Sequence, residues 1–193
     1  GLSTANVAAL TTDQVVALNT QQAAALTIAQ TAKLSSDQVQ ALETADLVAI
    51  STDALNALGT TNVAALKTAQ IAALTTAQSA GLSTANLAAL TTDQVVALST
   101  SSAGALTSSQ LKSLTTDQIV ALETADLQAM SAAQVVGLTT AGIVALGTAK
   151  ISALTTAEVA GLGTTNAKAL TTLQIQALSS TQAAALTTAQ IAA

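Results

Sequence analysis

Every eighth residue of the chain is a large aliphatic side chain. The row starts at Leu2 and runs through Leu10, Leu18, Leu90, Leu98, Leu122 and Leu154 to Leu186. It has 24 positions with no insertion or deletion; 22 are Leu, and the others are Ile50 and Met130. A second apolar row stands three residues before the next leucine. It holds Val, Ile or Leu in 18 of 24 units, as at Val15 and Val95. One residue earlier stands Gln, Asn or Asp in 19 of 24 units, and two residues after the leucine stands Thr in 19. The residue before the leucine is small, usually Ala; Lys33 is the large exception. A fixed short period over a whole chain marks a repeat architecture.

The spacing within the octad selects the element. Val95 and Leu98 are three apart, so they share a face on a helix and would point to opposite faces on a strand. Frequent Ala also suits helix better than strand. A continuous helix fails, because eight residues at about 100° each overshoot two turns by about 80° and the leucine stripe would wind around the axis. Each octad therefore contains a break, and threonine marks it. The pattern predicts a helix from Asp93 to Leu98 with Thr92 as N-cap, and equivalent caps at Thr12, Thr116 and Thr156. An alternative register puts the cap one residue earlier, so that Thr91 and Gln94 form a capping box. Thr92 is preferred because the earlier position also holds Glu43, Lys67, Gly59 and Gly147. Eight of the ten acids fall in the proposed first turn, where the helix dipole favours negative charge.

The predicted fold is all-α: a solenoid or superhelix of very short helices, one per octad. Its repeat core comprises Leu10, Leu18, Leu90, Leu98, Val15, Val95, Leu122 and Leu154. The alternative is a β-solenoid with polar Thr, Gln and Asn ladders. A longer period lies above the octad, since residues 1–80 align with 81–160 without gaps and a third, incomplete copy occupies 161–193. Residues 1–193 are thus expected to be one array, and a segment of a longer one. Duplication of an 80-residue block accounts for the long period; ten octads forming a geometric unit is the alternative.

Composition narrows the chemistry. The chain has no Phe, Tyr, Trp, His, Cys, Pro or Arg, and half of it is hydrophobic. So many aliphatics with so little charge argue against disorder. A single octad buries too little to offset the entropy of ordering it, so neighbours must stack. The net charge of −5 argues against nucleic acid and anionic membrane surfaces. No apolar run is long enough for membrane insertion. Enzymatic chemistry has little to use: no His, Tyr or Cys, no base placed to activate a hydroxyl, no glycine-rich phosphate loop. No catalytic residue, metal or cofactor is assigned.

Some rows could still bind. The Gln/Asn/Asp row could recognise a glycan, against the simpler reading that it bonds to corner backbone. The Thr row could face ice, against the simpler reading of capping. The close acidic pairs Glu43/Asp46 and Glu123/Asp126 are too sparse in oxygen ligands for a strong calcium site. Lys33, beside Thr31 where Val is expected, marks an irregular octad where a partner could meet the array; an edge lysine is the simpler account. The position two before the leucine (Ala8, Val16, Ala64, Val96, Val144) is the expected contact surface if arrays associate side by side.

Two resemblances accompany these readings. Leu90–Leu98, LTTDQVVAL, resembles the opening helix of TAL-effector DNA-binding repeats. The likeness covers nine residues and supports a helical octad; DNA binding is not carried over. Octads of the form A-L-T-T-x-Q-[IV]-x, as at Ala89–Val96, resemble the tandem repeats of very large bacterial secreted or cell-surface, adhesin-like proteins. That resemblance spans the chain and implies an extracellular or cell-surface location and an extended structural role, as stalk, fibre or filament. A repetitive binding module for glycan or ice is the alternative.

Overall fold

The computed structural model describes residues 2–192. Among them are 24 helices and no strand, numbered α1 (Thr4–Ala8) to α24 (Thr188–Ile191), one per octad and four to seven residues long. The all-α solenoid is the fold, and the β-solenoid alternative is set aside.

The break in each octad is a corner of one to four residues. At the corner before α15 (Thr116–Ala121), Leu114 leaves the helical region with φ −66°, ψ 142°, and Thr115 follows at φ −69°, ψ 162°. The N-cap is therefore Thr115. The caps predicted at Thr12, Thr92, Thr116 and Thr156 are corrected to Thr11, Thr91, Thr115 and Thr155, each one residue earlier. The predicted threonines are the first residues of their helices. The reason is reciprocal bonding: Thr91 Oγ1 accepts from the Gln94 N–H (3.2 Å), while Gln94 Oε1 accepts from the Thr91 N–H (2.8 Å). Thr92 stands too close to Gln94 for that closure.

The residues that spoke against the earlier register are solved individually. Glu43 and Lys67 occupy the cap position without a side-chain cap bond. Gly59, Gly147 and Gly163 stand at the same place in the octad with φ +74°, +70° and +73°, but there they are the first residues of their helices and the leucine before each, in the helical region, is the N-cap. Glycine makes that second kind of corner possible, because a Cβ strains a left-handed residue.

The cap register has a direct test. Thr91→Ala should destabilise the fold by about 1 kcal/mol. Thr92→Ala should stay within about 0.5 kcal/mol. Urea unfolding followed by circular dichroism measures both, and the reverse order would restore the later register.

The helices form two compact units, one ending at Ser102 and one starting at Ala103. Inside each, a helix packs on the third helix after it. In the first unit α3 (Thr20–Ala24) lies on α6 (Thr44–Ala49), and α4 (Ile28–Thr31) on α7 (Thr52–Ala57). In the second, α15 lies on α18 (Thr140–Ala145), and α17 (Ala132–Val135) on α20 (Thr156–Gly161). The core is built from both apolar rows. Val15, Val95 and Leu122 are fully buried, and Leu90, Leu98 and Leu154 nearly so. Leu10 and Leu18 are only half-buried, because the first described coil is covered by a neighbour on one side. Exceptions in the valine row fit by other means. Thr31 is buried, and its hydroxyl donates to the carbonyls of Thr27 (3.2 Å) and Ile28 (3.0 Å). Lys33, at the end of that octad, is exposed.

Candidate functional site

The most developed polar feature of the fold is repeated rather than single. It is centred on the residue four before the next leucine, usually glutamine and in most octads the third residue of the helix. Its carboxamide oxygen closes the cap of its own octad. Its amide nitrogen crosses to the coil before. Gln94 Nε2 donates to the carbonyls of Val63 (3.1 Å), Ala64 (3.2 Å) and Leu66 (2.7 Å), which are 31, 30 and 28 residues earlier. Those carbonyls lie at a helix C-terminus and corner, where intrahelical donors run out. One side chain thus satisfies an N-terminus and a C-terminus at once, and pins one coil to the next.

The same staple recurs at the same separations. Gln38 reaches Val7, Ala8 and Leu10; Gln70 reaches Val39 and Leu42; Gln182 reaches Ser152 and Leu154. The shorter Asn166 reaches Leu138 at 2.6 Å. Ser102 Oγ donates to the Leu74 carbonyl at 2.9 Å. Lys150 carries an ammonium to the same place, donating to the carbonyls of Val120 and Leu122. Ser102 and Lys150 were legible only as exceptions in the glutamine column; their shared role follows from the coil spacing. Among the recurring bonds, 28 residues is three and a half octads, so each amide lands between two helices of the coil before.

The staple decides what the polar rows can offer. Gln38, Gln70, Gln78, Gln94, Gln110, Gln118, Gln174, Gln182 and Gln190 are buried. In these octads the amides are buried in the fold, whereas Gln14 and Gln22 of the same column are exposed. The threonines at the corners, such as Thr11, Thr12, Thr91, Thr92, Thr155 and Thr156, are exposed. The acidic pairs separate too. Glu43 and Glu123 are exposed at cap positions, while Asp46 and Asp126 are buried in the glutamine column, where Asp126 accepts the Glu123 N–H at 3.0 Å. Among the described residues no three of His, Cys, Asp and Glu gather as a metal site, and no helix is long and apolar enough to cross a membrane. A groove of about 490 Å³ lies in the second unit, lined by Lys112, Thr139, Thr140, Thr164, Thr165 and Asn166 among others. The expected lateral row is largely open: Val16, Val96 and Val144 are exposed, and Ala64 is half-buried.

A family model described as the ALTTAQ repeat matches residues 1–28, 39–76, 68–100 and 119–156, more than half of the chain. The chain belongs to the ALTTAQ repeat family. The six letters stand unaltered at Ala73–Gln78 and Ala185–Gln190. They now have a physical reading: small residue, corner leucine, N-cap, first helical residue, second, and staple. Both octads carry the complete device, with Thr75 and Thr187 capping and Gln78 and Gln190 reaching the coil before. The ALTTAQ motif is thus the corner together with the bond that fixes it. Comparison with curated proteins and with solved structures gives no match.

Proposed function

We propose that this ALTTAQ array is a structural element, a stalk, fibre or filament segment on a bacterial surface or outside the cell, with no enzymatic role. The observation that carries this reading is the staple. Most octads bring their own corner, cap and cross-coil bond at a constant separation, so units can be added without a new kind of contact. Reach then depends on repeat number. The exposed valines at Val16, Val96, Val120 and Val144 support side-by-side association of arrays, because repeated exposed apolar side chains favour contact with a like surface. Location outside the cell rests on resemblance to repeats of large secreted proteins.

Electron microscopy of the purified chain without crosslinker tests the reading. Long uniform fibres with a regular axial repeat are the expected result. Discrete particles that never associate at any concentration would remove the filament role and leave that of a spacer.

A second reading is recognition of glycan or ice through the exposed corner threonines. Multiple replacements confined to the first helical position, such as Thr12, Thr92, Thr116 and Thr156, spare the caps. Lost binding with unchanged circular dichroism would favour recognition.

A further inference from the structure

Three octads put a buried carboxylate where the staple belongs, at Asp46, Asp126 and Glu158, and in two of them one carboxylate oxygen is left without a partner. Glu158, in α20, and Asp46, in α6, stand in the glutamine column and are 1% and 2% exposed. Glu158 Oε2 accepts the Thr155 N–H at 2.6 Å, as the glutamine oxygen does elsewhere. That leaves Oε1 in the place of the amide nitrogen, and Oε1 is buried without a hydrogen-bond partner. Asp46 Oδ2 is buried and unpartnered in the same way. The residues 31, 30 and 28 positions earlier, whose carbonyls the staple normally meets, are Leu127, Gln128 and Met130 for Glu158. For Asp46 they are Val15, Val16 and Leu18. Asn62 and Asn86, as short as Asp46, reach carbonyls of the coil before at 2.7 and 3.0 Å, so side-chain length is sufficient.

An anionic oxygen buried in the register where the staple meets carbonyl oxygens is strongly unfavourable unless positive charge lies among them. Lys150 shows that this register accepts one, since its ammonium sits on the carbonyls of Val120 and Leu122. We propose that Glu158 and Asp46 each complete a binding site for a dehydrated monovalent alkali cation of ammonium-like size, such as potassium. The ligands are one carboxylate oxygen and the main-chain carbonyls of the coil before. One carboxylate balances one positive charge. Calcium, by contrast, carries two charges and is commonly held by several carboxylates. The cation does for these two octads what the amide does for the others, joining oxygens that would otherwise repel.

Thermal unfolding in potassium chloride and in choline chloride, at equal ionic strength and fixed pH, tests this. Equal ionic strength removes screening differences, and choline is too large to enter. The wild-type Tm should be higher in potassium by at least about 2–4 °C. The variant carrying Glu158→Gln and Asp46→Asn should show no difference between the salts, because it restores the amide. Gln and Asn already fill this column in most octads, so the variant should fold; Glu158→Gln alone, retaining about half the difference, is the second measurement. Equal wild-type melting in both salts overturns the proposal. So does a potassium effect that survives in the double variant. Full recovery of wild-type stability on acidification in choline, with no response to potassium, also overturns it and assigns the place to a proton.

Discussion

Replacing Gln94 with alanine should lower stability by about 3 kcal/mol or more, although no apolar core atom of the neighbouring rows is touched. Two kinds of polar group lose their partner together. The Thr91 N–H loses the oxygen at 2.8 Å, and the carbonyls of Val63, Ala64 and Leu66 lose their shared donor. Each buried polar group left unsatisfied costs about 1–3 kcal/mol, and the glutamine is 2% exposed, so water does not readily replace it. Gln94→Lys should lose less, because Lys150 performs the donor half of the task in its own octad. Urea unfolding gives the ranking, and hydrogen exchange at the Thr91 amide reports the cap directly. A loss below about 0.5 kcal/mol for the alanine variant would mean that the staple is ornamental.

The second large effect comes from glycine. A Cβ on Gly137 would lie 2.2 Å from the Ser108 carbonyl oxygen and 2.8 Å from that residue's carbonyl carbon and Cα. These are main-chain atoms of the coil before, and they have no rotamer by which to withdraw. Gly137→Ala should therefore cost about 3 kcal/mol or more, at the upper end of overpacking. Gly59 is the control. Its added Cβ meets nothing within 4 Å, so only the left-handed φ of +74° is strained, at about 1–2 kcal/mol. Gly137→Ala exceeding Gly59→Ala in chemical denaturation is the expected result. The opposite order would mean that the coils separate easily and that corner geometry governs the fold.

The sequence made the octad, its two apolar rows and its helical nature legible, because the three-residue spacing of Val95 and Leu98 has only one simple solution. The cap register was misread by one residue. Glu43, Lys67 and the corner glycines argued against the earlier position, yet they are local exceptions: Glu43 and Lys67 make no side-chain cap bond, and the glycines open their helices behind a leucine N-cap. The stronger signal was the three-residue spacing of Thr91 and Gln94, which only the earlier register closes into a box. The second half of the glutamine's role was beyond a one-dimensional reading. It depends on which residue lies one coil below, and that follows from the packing of α3 on α6 or α15 on α18 rather than from any property of one octad. Lys150 illustrates the gap: a lysine in a column of amides looks like an error until its carbonyl partners are known.

The constant separation of 28 to 31 residues between stapled partners also bears on how such a chain reaches its folded state. The loop that must close before a cross-coil bond can form is the same size wherever it forms. Adding octads therefore adds no longer-range closure, and the entropic barrier per coil stays fixed as the chain grows. Folding of this kind advances by annealing each new stretch onto a finished edge, which suits a chain that leaves the ribosome one octad at a time.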